Sequence, residues 1–358
     1  MQEQTPYAVL HEFVAPAKRN LSRQTWDYLM GGAETETTHI RNRMAIDSLA
    51  FRPRVLRNVE KVDTGGTLLG YRLRIPVILA PIGSLQDIVA EGGLAPTRAA
   101  ARFGVMHMLS SVCSPGIEVV AAANDHPKIL QLYVRGDQAW VDDYVARAVA
   151  NRYVALCLTV DLDYYGRRER DLAKRYKATA RRGPPADHFQ ARFLWADVER
   201  LKSRFPIPFI LKGIATAEDA KIAIEHGIEV VYVSNHGGRQ LDHGKGGMDA
   251  LPEVVDAVAG RAEIIVDGGF LRGTDIVKAM ALGANAVGIG RLQGLALGAG
   301  GESALVRALE LLDDEMRRCL GLLGVTSSAE LDKSYIAPVV PLSREGWDSA
   351  FPLLKEGY

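Results

Sequence analysis

Short apolar runs recur along the chain, each cut off by polar or glycine residues: Val77 to Ala80, Val105 to Leu109, Ile129 to Leu132, Ala155 to Val160, Phe209 to Leu211, Glu229 to Val233, Glu263 to Val266 and Ala286 to Ile289. Runs of this length and continuity suit strands covered on both faces. Between them lie alanine-rich segments with helical spacing, such as Leu94 to Phe103, Val141 to Ala150, Ala217 to His226, Pro252 to Val258 and Thr274 to Leu282. Strand and helix alternate about eight times, which predicts an α/β chain closed into a parallel (β/α)8 TIM barrel. Residues 1–75 are expected to form an N-terminal helical segment packed on the barrel, with a helix around Arg23 to Met30. The barrel domain takes 76–358, and a C-terminal helix is expected after Ser327.

The periodicity lapses between Asp161 and Trp195. That stretch carries Arg167, Arg168, Arg170, Lys174, Arg175, Lys177, Arg181 and Arg182, then Gly183-Pro184-Pro185. It reads as a lid loop over about 162–194, its outer part solvated. Arg168, only seven residues past a strand end, is placed to reach back over the barrel mouth.

Composition narrows the partners. Apolar residues make up 47 % and charged residues 24 %, ordinary for a chain with a large core. Lys plus Arg equals Asp plus Glu at 43 each, so no global field recruits nucleic acid or an anionic membrane. A small molecule is the expected partner. Cys113, Cys157 and Cys319 are odd in number and far apart, which argues against a disulfide framework and against a zinc site. A reducing cytoplasm fits that usage. No apolar run is long enough to span a membrane, and the N-terminus resembles no export signal.

The unusual residues fall at strand ends, where barrels of this type build their sites. They are Pro81-Ile82-Gly83, Ser110-Ser111, Tyr133, Asp161, Lys212, His236 with Arg239, Asp267-Gly268-Gly269 and Gly290-Arg291. Residues 230–242 are the most informative. An apolar strand stops and delivers His236 and Arg239 three positions apart on a glycine turn, beside Gly237 and Gly238. Arg239 suits a carboxylate, and His236 suits proton removal from the adjacent carbon. Gly268, Gly269 and Gly290 permit close backbone approach to a phosphate, with Arg291 or Arg272 supplying charge. A phosphorylated substrate and a phosphorylated cofactor are equivalent on this ground.

From about Trp26 to Gly324 the chain resembles the FMN-dependent L-2-hydroxy acid oxidases and dehydrogenases, the family of glycolate oxidase, lactate oxidase, mandelate dehydrogenase and flavocytochrome b2. The likeness rests on Trp26-Asp27-Tyr28, Gly32-Ala33, Gln131-Leu132-Tyr133, Leu158 to Asp161, Gly166 to Glu169, Leu211-Lys212-Gly213, Ser234 to Asp242, Asp267 to Gly269 and Gly290-Arg291. The resemblance implies FMN as cofactor and oxidation of a 2-hydroxy acid to the 2-oxo acid, with dioxygen or a diffusible electron acceptor. It implies a homo-oligomer, a tetramer in many members. His236 would be the base, Asp161 its orienting carboxylate, and Arg168 and Arg239 the clamp on the substrate carboxylate. Tyr28 and Tyr133 would donate hydroxyls, and Lys212 would face the flavin. Pro81, Ile82, Gly83, Ser110, Gln131, Thr159 and Ser234 would line its ring and ribityl chain, and Asp267, Gly268, Gly269, Gly290 and Arg291 its phosphate end. Two alternatives are an FMN barrel of isomerase type, with no net oxidation, and a catalytically silent barrel.

Three departures matter. Leu271 stands where the family has an arginine, leaving Arg272 as the candidate replacement on the phosphate. The lid is shorter than in glycolate oxidase, so a more open mouth is expected. Val112 stands where that enzyme has a tryptophan, which favours a large, aromatic or long-chain side chain of mandelate type, with Tyr164 and Tyr165 partly refilling the space. Gly83, alanine in glycolate oxidase, is shared with quinone-linked members.

Overall fold

The computed structural model describes residues 7–182, 188–341 and 346–357. Gly183, Pro184 and Pro185 of the lid lie outside them. Eight parallel strands close into a barrel. In chain order they are β1 (Val77–Leu79), β2 (Met106–Ser110), β3 (Lys128–Leu132), β4 (Ala155–Thr159), β5 (Phe209–Ile214), β6 (Val230–Val233), β7 (Glu263–Asp267) and β8 (Ala286–Ile289). Their uniform burial explains why they read as continuous apolar runs. The expected helices are present within a few residues, including Arg23–Met30, Leu94–Phe103, Ala217–Glu225 and Gly273–Ala281.

The core has two compartments. Inside the barrel, Ile78, Met106, Met108, Ile129, Cys157, Ile210, Tyr232 and Ile265 fill the lumen as solid packing. A hairpin, Gly66–Leu68 with Tyr71–Leu73, adds Leu68 and Leu73 to that cluster. A larger apolar layer joins the strands' outer faces to the helices. Chemistry is thereby confined to the strand ends.

One expectation about the C-terminal part is corrected. The segment after Ser327 is not a helix: it holds a 3-10 turn at Ser328–Glu330 and a strand, Ile336–Pro338, paired antiparallel with Leu49–Phe51. The long helix comes before it, at Arg291–Leu323, broken by the non-helical angles of Gly300 and Gly301. Among the described residues, no helix is long and apolar enough to cross a membrane.

Candidate active site

His236 sits just past β6 with φ +57°, a conformation that non-glycine residues seldom adopt and that functional sites tolerate. Its Nδ1 lies 2.9 Å from Asp161 Oδ1 at the end of β4. That contact needs Gly213, because a Cβ there would come within 2.7 Å of the Asp161 side chain. With Nδ1–H given to the carboxylate, Nε2 is left to face the Tyr133 hydroxyl at 3.3 Å. Burial pushes the His236 pKa down and outweighs the upward pull of Asp161, with Lys212 adding to the fall, so the imidazole is neutral and basic near pH 7. Burial acts the other way on Asp161, but His236 and Lys212 together hold it below the usual carboxylate range. Tyr133 is raised well above a normal phenol, chiefly by burial, and stays protonated.

Two guanidinium groups converge beside this pair. Arg239 donates through Nη1 to the carbonyls of Tyr28 (2.5 Å) and Gly31 (2.9 Å), and its Cζ lies 4.9 Å from the Tyr28 ring centre. Arg168 is 6 % exposed, reaches over the mouth as its sequence position suggests, and stacks 4.1 Å from the Tyr165 ring. Tyr28 donates its hydroxyl to the Gly83 carbonyl at 3.0 Å.

A third group of polar residues lies deeper. Lys212 Nζ donates to Ser234 Oγ (2.8 Å), which donates to Asp267 Oδ1 (2.7 Å). Burial disfavours the Lys212 ammonium, yet Asp267 and Asp161 more than restore it, so it stays charged. Gln131 Nε2 donates to Thr159 Oγ1 (2.8 Å), leaving Gln131 Oε1 buried with no partner among the described residues.

These groups surround one cavity of about 1090 Å³. Tyr28, Pro81, Ile82, Gly83, Val112, Tyr133, Arg168, Lys212, His236, Arg239, Asp267, Gly268, Gly269, Gly290 and Arg291 all line it, as expected from the sequence. Ser110, Gln131, Thr159 and Ser234 are buried and do not reach its wall, and Asp161 backs His236. Arg272 is a correction. It pairs with Glu315 at 2.5 Å and donates to the Ala350 carbonyl, so it takes no part in the cavity, and the wall there is Leu271. The capping position of the Gly273–Ala281 helix sends its side chain toward the Arg291–Leu323 helix instead.

The outer part of the lid is exposed, at Arg167, Arg175 and Arg182 among others, while its inner side faces the cavity. Tyr176, Lys177 and Arg181 also line the cavity, and Arg181, like Arg168, packs on the Tyr165 ring, 3.4 Å from its centre. Asp87 fastens this stretch by accepting from Tyr176 Oη (3.0 Å), Thr179 N (2.9 Å) and Thr179 Oγ1. Gln190 ties the returning end to Val134 N and the Thr159 carbonyl. Sequence reasoning also missed His39 and Trp347 on the cavity wall. The first stands in an ordinary-looking helix and the second nine residues past the last strand, and neither carries a local motif.

The cavity fits FMN. Its wall offers a fixed cation, Lys212, and just behind that wall lies the unpartnered amide oxygen of Gln131, groups that complement a polar heterocycle. At the other end no atom lies within 4 Å of where a Gly290 Cβ would sit. There the buried Arg291, held down to about 9 by burial and then by Arg239, hydrogen-bonds only backbone carbonyls, those of Met30, Gly31 and Gly237. Such a guanidinium suits a phosphate.

Residues 17–338 match the family model described as FMN-dependent dehydrogenase. A peroxisomal (S)-2-hydroxy-acid oxidase of Oryza sativa subsp. japonica is 39 % identical over 356 residues, spanning 94 % of this chain and 97 % of that protein. An L-lactate oxidase of Nostoc sp. is 36 % identical over 361 residues, with 91 % and 97 % covered. A mandelate oxidase structure with (S)-2-phenylpropionate superposes with a TM-score of 0.87 at 35 % identity, covering 94 % of this chain and all of that one. Another mandelate oxidase structure, with an FMN adduct, gives 0.83 at 35 % identity, with 89 % and 96 % covered.

Proposed function

The chain belongs to the FMN-dependent dehydrogenase family, and on that premise we propose that it oxidises a 2-hydroxy acid with a large, aromatic or long-chain substituent, of mandelate type. It is an FMN-dependent oxidoreductase acting on CH–OH groups, which removes the isomerase-like and silent-barrel alternatives. Bound FMN supplies the two-electron acceptor. The protein's own residues handle the protons and the carboxylate.

In this reading His236, neutral and with Nε2 unprotonated beside the Tyr133 hydroxyl, takes a proton from the substrate, and Asp161 stabilises the imidazolium that results. Arg168 and Arg239 hold the carboxylate, with the Tyr28 and Tyr133 hydroxyls as further donors. Lys212 offers positive charge where reduction adds negative charge.

The observation carrying the substrate class is the wall above Gly83. Val112, smaller than a tryptophan, lines the cavity there against Gly83, and Tyr164, Tyr165 and His188 give the cavity an aromatic side, with the Tyr164 and His188 rings 5.9 Å apart. Turnover of glycolate, lactate, mandelate and 2-hydroxyoctanoate tests it, and a clear preference for glycolate defeats it. The acceptor is dioxygen or a diffusible molecule, and stopped-flow reoxidation in air separates the two. Gly83 supports the second. Work in the cytoplasm, as a homo-oligomer, completes the proposal: the first is supported by cysteine usage, the second by the exposed Val55 and Leu56. Light scattering of the purified protein checks the assembly.

A further inference from the structure

We infer that His39 is a contact for the phosphate of FMN, serving beside Arg291 an end of the cavity where Leu271 contributes no charge. The inference rests on FMN occupying this cavity.

Three observations place it there. First, the wall there has lost one cation: Phe270 and Leu271 present an apolar surface, Arg272 is engaged by Glu315, and Arg291, among the described residues, hydrogen-bonds backbone carbonyls. Second, His39 lines the same cavity at 3 % exposure, with Nδ1 and Nε2 both lacking a hydrogen-bond partner among the described residues. Leaving both nitrogens of a buried imidazole unpaired is costly, and such groups ordinarily have a partner or await one. Third, the helix carrying His39, Thr37–Asp47, closes the glycine-rich end. One turn on, the Asn42 side chain lies 2.6 Å from where a Gly268 Cβ would sit, and its backbone 3.0 Å from that of Gly269. Residues three apart share a helix face, so His39 and Asn42 look at the same end of the cavity.

The helix is held in that position. Asp242, buried beyond the His236 turn, accepts from Thr38 N (2.8 Å) and Thr35 Oγ1 (2.6 Å) at its start. His39 then packs so closely on Gly238, φ +74°, that a Cβ there would meet its backbone at 2.5 Å. The charges facing the ring are Arg291, Arg239 and Arg170, which with burial keep it neutral in the free protein. A neutral imidazole has one N–H to donate, and a phosphate oxygen surrounded by guanidinium groups is a strong acceptor.

The test is flavin binding to apoprotein, read by quenching of flavin fluorescence, with FMN and riboflavin compared. Riboflavin lacks only the phosphate, so it reports on ring and ribityl contacts and on folding of the variant. His39→Leu is expected to weaken FMN binding about tenfold to a hundredfold, the loss of one hydrogen bond to a charged group, with riboflavin affinity unchanged. His39→Gln, which retains an N–H donor, is expected to recover part of that loss. Equal weakening of both flavins, or no weakening of either, overturns the inference. Wild-type apoprotein that binds neither flavin overturns the cofactor reading instead, which keeps the two failures apart.

Discussion

The floor of the site and its lid are built by different means. On the floor, His236, Asp161, Lys212 and Asp267 stand at or just past the ends of strands whose register the barrel fixes, and they hydrogen-bond one another. The described parts of the lid, 162–182 and 188–194, pair with no strand. They hold their place through side chains bonded to distant backbone and carboxylate groups: Asp87 to Thr179, Gln190 to Val134, Arg170 to Glu36. Groups set by a sheet are rigid enough for proton transfer, whereas groups set by a few scattered side-chain bonds can yield to admit a substrate. Chemistry should therefore be lost by changes on the floor and access by changes in the lid.

The largest effect is expected at His236. His236→Gln should lower kcat/KM by about a thousandfold to ten thousandfold with FMN still bound, measured by anaerobic flavin bleaching. A smaller loss would mean that another base serves. Asp161→Asn comes next, at about a hundredfold. Its pH profile carries the sign. Wild-type His236 titrates below its ordinary 6.5, so kcat/KM should rise with pH on the acid side and level off by neutrality. Removing Asp161 takes away an influence that raises that pKa, so the acid limb should move to lower pH while the plateau falls. A limb moving upward would contradict the ion pair. Arg239→Lys should follow, at about tenfold to a hundredfold in kcat/KM, because an ammonium cannot reproduce a planar fork. Asp87→Ala is expected to be mildest, raising KM severalfold with kcat nearly kept, since it frees the lid and leaves the floor intact. A collapse of kcat in that variant would erase the distinction between the two regions.

The same division explains what the sequence disclosed. Strand ends announce themselves because an apolar run stops at a polar residue, so Tyr133, Asp161 and His236 were visible at their positions before any coordinate. Arg272 misled because its position in the chain says nothing of which way its side chain turns, and Glu315, 43 residues on, captures it. The lid's contacts were illegible for a related reason. Asp87 and Thr179 are 92 residues apart and belong to no periodic pattern. The segment after Ser327 is expected to be a helix, but pairing with Leu49–Phe51 makes Ile336–Pro338 a strand, and that is a tertiary effect.

The turn at Met30–Gly31 gives its carbonyls to Arg239 and Arg291, and Tyr28 adds its own to the first. The leading arm of the polypeptide is thus a dielectric partner of the reaction chamber, not packaging around it. A version of the barrel shorn of that arm would strip Arg239 of the Tyr28 and Gly31 carbonyls and leave Arg291 that of Gly237. Recombination that exchanges one portion without the other should yield an insoluble or empty product, so the arm and the barrel are bound to be inherited together.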